Sequence, residues 1–418
     1  MPYIISAPKS WHPMRILHVY RTYSPPGGTQ EAIRNLCLAT RDYGVQSRVF
    51  TLSSGPCPAE ITLPEGKVVF GRSWGAPASC DIGGFSAVRA FMREAAWADL
   101  VHFHFPWPYL DLLRFMLPRG KPCLMTYHSD IVRQRKLAAL YAPLMRHTLR
   151  AMPRIVVGSA NYVESSETLR ACVEPEKLRV IPFGLVERSE PAPEGRAILD
   201  RLGVPRGGYF LALSVLRYYK GLHHLVRAAL AVDAPIVIAG AGYEETNLRA
   251  LATELGVKNI VFAGHVSEDE KTVLLGNCRA FVFPSHLRSE AFGLALVEAA
   301  MTAKPMISCE IGTGTSFVNR DGETGLVVPP SDPVALAAAM NQLLSDPALC
   351  ARFGAAARQR YETYFTAQGM GEKYTALYRD LVPVGRTDPM RASEAVKSSG
   401  PLSKQIPALN ERCAVRAE

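Results

Sequence analysis

This sequence has no long apolar run, no paired cysteines and no excess of acidic residues. Nowhere in its 418 residues is there anything approaching the roughly 18 to 20 consecutive apolar residues that a membrane-spanning helix needs. The opening segment, Met1-Pro2-Tyr3-Ile4-Ile5, carries no basic region followed by an apolar core. No targeting signal is read there, and the expected location is the cytoplasm. The nine cysteines stand singly, odd in number and without a C-x-x-C pair, which argues for reduced thiols and against structural zinc. Helix-turn-helix, zinc-finger and RNP-type signatures are lacking too, so no nucleic-acid partner is expected despite a net charge of +9. The basic balance points instead to an anionic membrane surface or a phosphorylated small molecule.

What the chain does have is apolar sequence for two cores. With 48% hydrophobic residues it is too long for one ordinary α/β unit. In the first half, short β-branched runs alternate with amphipathic stretches, the pattern of βα units around a parallel sheet. Strands are expected at 15–20, 46–53, 67–71, 99–105, 121–128, 154–159 and 178–182, with helices such as 29–43, 85–97 and 133–151. A polar, proline-rich segment from Glu187 to Gly195 then interrupts the pattern as a linker would. Strands resume at 209–216, 235–239, 259–263, 280–284, 305–309 and 325–328. The expected fold class is α/β, with two Rossmann-like domains built on parallel sheets. The first spans 1–186, with 366–381 packing back on it, and the second spans 187–365. From about Thr387 the chain is polar and aperiodic, so 387–418 reads as a disordered tail.

In open α/β sheets, ligands bind beyond the carboxyl ends of the strands, so residues just after each strand are the candidates for function. Gly27-Gly28 follows the first strand and opens a helix. There glycine either lets a ligand approach the backbone and the helix N–H groups, or simply makes a tight turn. Gly240-Ala241-Gly242 also follows a strand, but Glu245 stands where a dinucleotide fingerprint needs its third glycine. Arg217 and Lys220 lie just past the first strand of the second half, placed to meet a diphosphate with a planar fork and a mobile point charge.

The strongest signal runs from Ser289 to Glu298. It puts Glu290 in a loop after a strand and Glu298 inside an otherwise apolar helix. Burying that carboxylate is costly unless hydroxyls or cations meet it, and the residues four away, Leu294 and Thr302, supply no cation. Sugar and ribose hydroxyls are the natural alternative. Gly312-Thr313-Gly314-Thr315-Ser316 either holds a phosphate or turns the chain.

His128 ends a first-half strand, where it is either structural or a donor to a sugar hydroxyl. His102 and His104 alternate along one strand and share a face. Without a recognisable third ligand they read as cleft-lining histidines rather than a metal site. Glu268-Asp269-Glu270 sits where a helix begins, which suits the helix dipole, so no metal is expected. The stretch from Arg133 to His147 mixes cations with apolar residues at helical spacing. It suits either the core or an anionic membrane that carries a lipid-linked acceptor.

Taken with Gly322-Glu323-Thr324-Gly325 and Lys220-Gly221, the two-glutamate motif of Glu290 and Glu298 resembles the retaining glycosyltransferases of the GT-B fold in family 4, which includes bacterial mannosyltransferases. The resemblance runs from about Ile16 to Leu381. It implies two facing Rossmann-like domains with an interdomain cleft and a nucleotide-sugar donor, with no other cofactor. By the same resemblance Glu298 would hold the ribose, Glu290 the transferred sugar and Lys220 the diphosphate. Backbone amides at Phe292, Gly293 and Leu294 would meet sugar and phosphate, His128 would orient the sugar, and Gly28 would lie beside the diphosphate. One departure stands out. The family pattern has Gly-Arg ahead of the Lys-Gly pair where this chain has Ser214 and Val215, which makes Arg217 the candidate for the missing cation.

The segments Ile181-Pro182-Phe183-Gly184 and Glu310 to Ser316 look most like enzymes that move mannose or D-rhamnose from a GDP carrier onto a polyprenyl-diphosphate-linked saccharide in O-antigen synthesis. That implies peripheral contact with the inner membrane. A UDP-hexose donor is the alternative within the family. A sugar-nucleotide epimerase or a catalytically silent nucleotide-sugar sensor are the alternatives outside it.

Overall fold

The computed structural model describes residues 13–23, 27–76, 80–131, 135–187, 195 and 197–383. The expected tail at 387–418 and most of the linker from Glu187 to Gly195 lie outside the described residues. The chain forms two compact units. One contains the residues up to Thr126 and those from Gly371 on; the other is Tyr127–Met370. This division differs from the 186/187 boundary read from sequence. Residues 127–186 pack within the second unit, where Asp130 pairs with Arg288, Phe183 meets Phe292 and Asn161 bonds Ser316.

In the first unit, β1 (Met14–Val19), β2 (Val45–Ser53), β3 (Glu60–Leu63), β4 (Gly66–Gly75), β5 (Ile82–Gly83), β6 (Leu100–Phe105) and β7 (Cys123–Tyr127) appear in that chain order. The sheet path runs β3-β4-β2-β1-β6-β7, with β5 pairing β4. β1 lies parallel to both β2 and β6, in register His18 to Val49 and His18 to His102. Sequence periodicity missed β3 and β5, both antiparallel to β4. Each is short, and β3 alternates exposed and half-buried residues, so neither produces a buried apolar run. Phe50, Phe91 and Phe103 are fully buried and pack at ring-centroid distances of 5.7 and 6.5 Å.

In the second unit, β8 (Ile155–Val157) and β9 (Leu178–Val180) pair in parallel. They are followed by a parallel sheet of β10 (Phe210–Leu213), β11 (Ile236–Ala239), β12 (Ile260–Gly264), β13 (Ala280–Phe283), β14 (Met306–Cys309) and β15 (Gly325–Val328). Its order is β12-β11-β10-β13-β14-β15. The four-residue apolar runs of β11, β13 and β14 are buried throughout, as strands covered on both faces must be. Phe210, Leu225, Ile236, Val282, Ile307 and Met340 anchor the core. The order reverses between β10 and β13. Such a switch point opens a crevice beyond the strand ends, where adjacent loops diverge. The loops carrying Lys220 and Glu290 leave those two strands.

Candidate active site

The loop after β10 is fixed by local stereochemistry. Arg217 precedes the short 3-10 turn Tyr218–Lys220, and Gly221 closes it at φ 67°. That conformation disfavours any residue with a side chain. A β-carbon at Gly221 would also overlap the Pro284 carbonyl at the end of β13. The two loops are therefore in backbone contact, and the His286 N–H donates to the Tyr219 carbonyl at 3.1 Å.

This contact brings Lys220 onto Glu290. Lys220 Nζ donates to Glu290 Oε2 at 2.5 Å, with both side chains largely buried. The ammonium also lies 5.2 Å from the Tyr219 ring centre and 5.0 Å from that of Phe283, a favourable setting for a cation. Burial pushes the Lys220 pKa down, but the Glu290 carboxylate and neighbouring groups outweigh it, leaving it raised. Lys220 is therefore charged at neutral pH. Removing either partner from such a pair would cost about 3 to 5 kcal/mol by stranding the other charge.

Gly293, at φ 88°, caps the helix Leu294–Met301. The backbone N–H groups of Phe292, Gly293 and Leu294 meet no acceptor among the described residues. They form an electropositive helix end beside Glu290, suited to oxyanions. Glu298 is buried on the same helix, at 8% exposure. The cation that sequence could not find comes from another element: Lys271 Nζ lies 3.0 Å from Glu298 Oε1 and 2.9 Å from Glu268. The residues four away supply no cation, but Lys271 does, and the burial of Glu298 is compensated within the protein.

His128 stacks on Phe183 at 5.3 Å and 7°, and Phe183 meets Phe292 edge-on at 5.0 Å. An aromatic chain thus ties the histidine to the helix end at Phe292. Burial pushes its pKa down to about 3, leaving a neutral imidazole. Arg217 is exposed, and its side chain has no hydrogen bond or ion pair among the described residues. Gly28 starts the helix Gly28–Arg41 in the first unit, and the space where its β-carbon would stand is open.

Several other sequence candidates make contacts within the fold. Gly240-Ala241-Gly242 packs against the loop after β10, where Ser214 donates to Ala239 at 3.1 Å and Leu216 to Ala241 at 3.0 Å. The Gly312 carbonyl accepts from Arg288 at 2.7 Å and from the Ser165 hydroxyl. Glu270 completes a capping box with Ser267, as expected of acids at a helix start.

His102 and His104 are not cleft-lining; they are 0% and 1% exposed. Alternation along β6 showed that they share a face but not that the face is covered. With His18 as a third member, they form a buried network in which His18 bonds His104 at 3.1 Å and His102 bonds Tyr378 at 2.9 Å and Thr126 at 2.7 Å.

Two features escaped sequence reasoning because their members are remote in the chain. Arg288 pairs with Asp130 at 3.2 Å. His223, His224 and His286 converge at the switch point. Of the basic stretch beginning at Arg133, residues 133–134 and the side chains of 135–138 lie outside the described residues. The rest of the helix Arg135–Ala151 exposes Leu140 at 81% and Leu144 at 37%.

Two parallel α/β sheets, with cation, carboxylate and open helix end at the switch point of the second, define a glycosyltransferase of the GT-B fold. Residues 203–360 match the family Glycosyl transferases group 1, and residues 26–186 match Glycosyltransferase Family 4. The chain belongs to that family, whose donors are nucleotide sugars. It is 45% identical over 359 residues to the D-rhamnosyltransferase WbpZ of Pseudomonas aeruginosa, covering 85% of this chain and 93% of the relative. It is 39% identical over 371 residues to the O-antigen chain mannosyltransferase C of Escherichia coli, covering 88% and 99%. Among solved structures, sucrose-phosphate synthase from Thermosynechococcus elongatus superimposes with a TM-score of 0.72 at 21% identity, over 88% of this chain and 99% of that one. Anabaena HepE in complex with UDP gives 0.70 at 19%, over 88% and 100%. Among the described residues no single helix is long and apolar enough to cross a membrane. The bent pair Pro333–Ser345 and Pro347–Tyr364 passes on length and composition together, but it buries Leu336, Met340, Leu343 and Phe353 in the core.

Proposed function

We propose that this enzyme transfers a mannosyl or D-rhamnosyl residue from a GDP-sugar to a polyprenyl-diphosphate-linked saccharide, in synthesis of O-antigen or a related surface polysaccharide. Configuration at the anomeric carbon is retained, and no metal is required. The observation that carries the reading is the buried Lys220–Glu290 pair beside the open amides of Phe292, Gly293 and Leu294. Without donor, Lys220 is neutralised by Glu290. An arriving diphosphate competes for the ammonium and the helix end, which frees Glu290 to accept hydrogen bonds from sugar hydroxyls. Those cationic and dipolar contacts strengthen as charge builds on the departing nucleotide, which is where such groups accelerate a reaction.

In this scheme Glu298 holds the ribose, the neutral His128 orients the sugar and Gly28 lies by the diphosphate. The acceptor hydroxyl attacks from the side the diphosphate leaves, and a phosphate oxygen takes its proton. No protein nucleophile is invoked. The names of the relatives at 45% and 39% identity support the sugar and the pathway. The family matches, ending at 186 and starting at 203, support an acceptor-side half up to 186 and a donor half of 187–365. The exposed Leu140 and Leu144, with Arg146 and Arg150 on the same helix, support work on the cytoplasmic face of the inner membrane.

A UDP-sugar donor is the second reading, favoured by the UDP complex of HepE at 19% identity. Calorimetric titration with GDP, UDP and ADP separates the two. GDP is expected to bind at least about tenfold more tightly than either, or ~1.4 kcal/mol. Selective UDP binding would keep the fold and overturn the donor and pathway.

A further inference from the structure

The loops leaving β10 and β13 bring together three imidazoles that the transfer chemistry does not use. His223 and His224 begin the helix Leu222–Ala228, directly after Lys220-Gly221, while His286 follows Pro284 and Ser285. One ligand nitrogen from each lies within 4.8 Å of the others. The rings are close: centroids are 4.0 Å apart for His223 and His224, 5.1 Å for His224 and His286, and 5.2 Å for His223 and His286.

Hydrogen bonding separates this cluster from the other histidine triad. In the first unit His102 uses both ring nitrogens, on Tyr378 and Thr126, and His18 bonds His104. That cluster is largely bonded within the fold, with Nε2 of His18 its one buried nitrogen that lacks a partner among the described residues. In the second, no ring nitrogen is hydrogen-bonded among the described residues, and Nδ1 of His286 is buried with no partner on a residue only 8% exposed. An orphaned buried nitrogen is costly unless something meets it. Space is kept beside it, because a β-carbon at Gly221 would come within 3.1 Å of that Nδ1. The Tyr218 ring stacks on His223 at 5.0 Å and stands edge-on to His286 at 5.1 Å, which walls the cluster on one side. His223 and His224 are half-buried, leaving the other side open to solvent.

We propose that His223, His224 and His286 form a binding site for a zinc-class divalent cation, which clamps the loop carrying Lys220 to the loop leading to Glu290. Three imidazoles with one open position suit Zn²⁺, whose bonds to nitrogen are about 2.0 to 2.1 Å. Tetrahedral ligation requires nitrogens roughly 3.3 Å apart, so the rings close in from their present spacing by side-chain rotation. The fourth position is left to water or another small ligand. The clamp is separate from the donor's own contacts and does not depend on which nucleotide the enzyme uses.

The test is a Zn²⁺ titration of the full-length protein against a chromophoric competing chelator, repeated on His286→Ala and on the double variant His223→Ala, His224→Ala. Wild type is expected to take up one Zn²⁺ per chain with an affinity at least tenfold above either variant. Co²⁺ should give tetrahedral visible absorption in wild type that both variants lose. The double variant alters partly exposed positions and guards against a folding defect in His286→Ala, with circular dichroism as the control. No saturable uptake by wild type, or equal uptake by a folded variant through the cysteines or the other histidine triad, would overturn the proposal.

Discussion

The two sheets reverse their strand order at equivalent points, between β1 and β6 in the first unit and between β10 and β13 in the second, yet the two places hold different chemistry. At the first, His18, His102 and His104 sit within the strands and bond to one another and to Thr126 and Tyr378. At the second, Lys220, Glu290 and three histidines sit past the strand ends, on loops and the start of a helix, next to backbone amides that meet no acceptor among the described residues. Residue type does not separate the two, since both contain clustered histidines. What separates them is position along the strand. Inside it, polar groups find most of their partners in the fold, His18 Nε2 excepted; beyond it, a polar group can keep valences for a ligand. Substitutions at the second switch point should therefore remove activity and, outside the buried Lys220–Glu290 pair, spare stability; those at the first should do the reverse.

The largest effect expected is at Glu298. Glu298→Ala should lower kcat/KM by at least about 100-fold, or ~2.7 kcal/mol of transition-state stabilisation, with little change in the denaturation midpoint. The fold should survive because Lys271 keeps Glu268 as a partner at 2.9 Å. Steady-state kinetics and a urea titration on one preparation decide the matter. Wild-type turnover would mean that Glu298 serves only its ion pair with Lys271, and the comparison would lose its clearest example.

The first unit offers the converse experiment. Burial pushes the His18 pKa down to about 3, from the usual 6.5 or so. The unfolded chain therefore takes up a proton there below about 6.5 while the folded chain does not. Stability from this group is fully present above that pH and is lost as pH falls toward 3, with roughly 2 kcal/mol gone by pH 5. Denaturant midpoints at pH 7 and pH 5, in wild type and in His18→Gln, should show a smaller pH dependence in the variant. An identical slope in both would show that His18 is not held neutral by its surroundings. His128 is displaced in the same direction, so the variant is expected to retain part of the slope.

Much of this was legible in the sequence, for reasons that also explain what was not. The strands β10, β11, β13 and β14 were readable because buried parallel strands are largely apolar runs, and the half-buried β12 and β15 because they too are rich in apolar, β-branched residues. Lys220, Glu290 and Glu298 stood out because charges next to or within such runs need a reason. β3 and β5 were not readable, being antiparallel pieces of four and two residues without a fully buried apolar run. Lys271 was missed because its partner is 27 residues away, beyond any helical spacing, and the histidines of the second switch point were missed because their loops meet only through tertiary contacts, at Gly221 and between Tyr219 and His286. The error at His102 and His104 has the same origin. Period-two spacing places two side chains on one face, while the tyrosines that cover this face come from the C-terminal helix, at Tyr374 and Tyr378.

The smallest expected effect bears on the departure from the family pattern at Ser214 and Val215. Arg217 stands exposed at the start of the turn that ends in Lys220, without a partner among the described residues. Its charge is nevertheless felt at Lys220, whose pKa it works to lower. A cation close enough to repel that ammonium is close enough to attract a diphosphate bound to it. The exposed position and high local dielectric limit the gain to roughly 1 kcal/mol. Arg217→Ala should thus weaken GDP binding about fivefold at low salt, by calorimetry, and the difference should shrink as salt screens the charge. Unchanged affinity at low salt would leave the diphosphate to Lys220 and the helix end, without Arg217. An effect that persisted at high salt would instead indicate a direct, partly buried contact with the phosphate, and Arg217 would then belong with Lys220 rather than with the solvated surface.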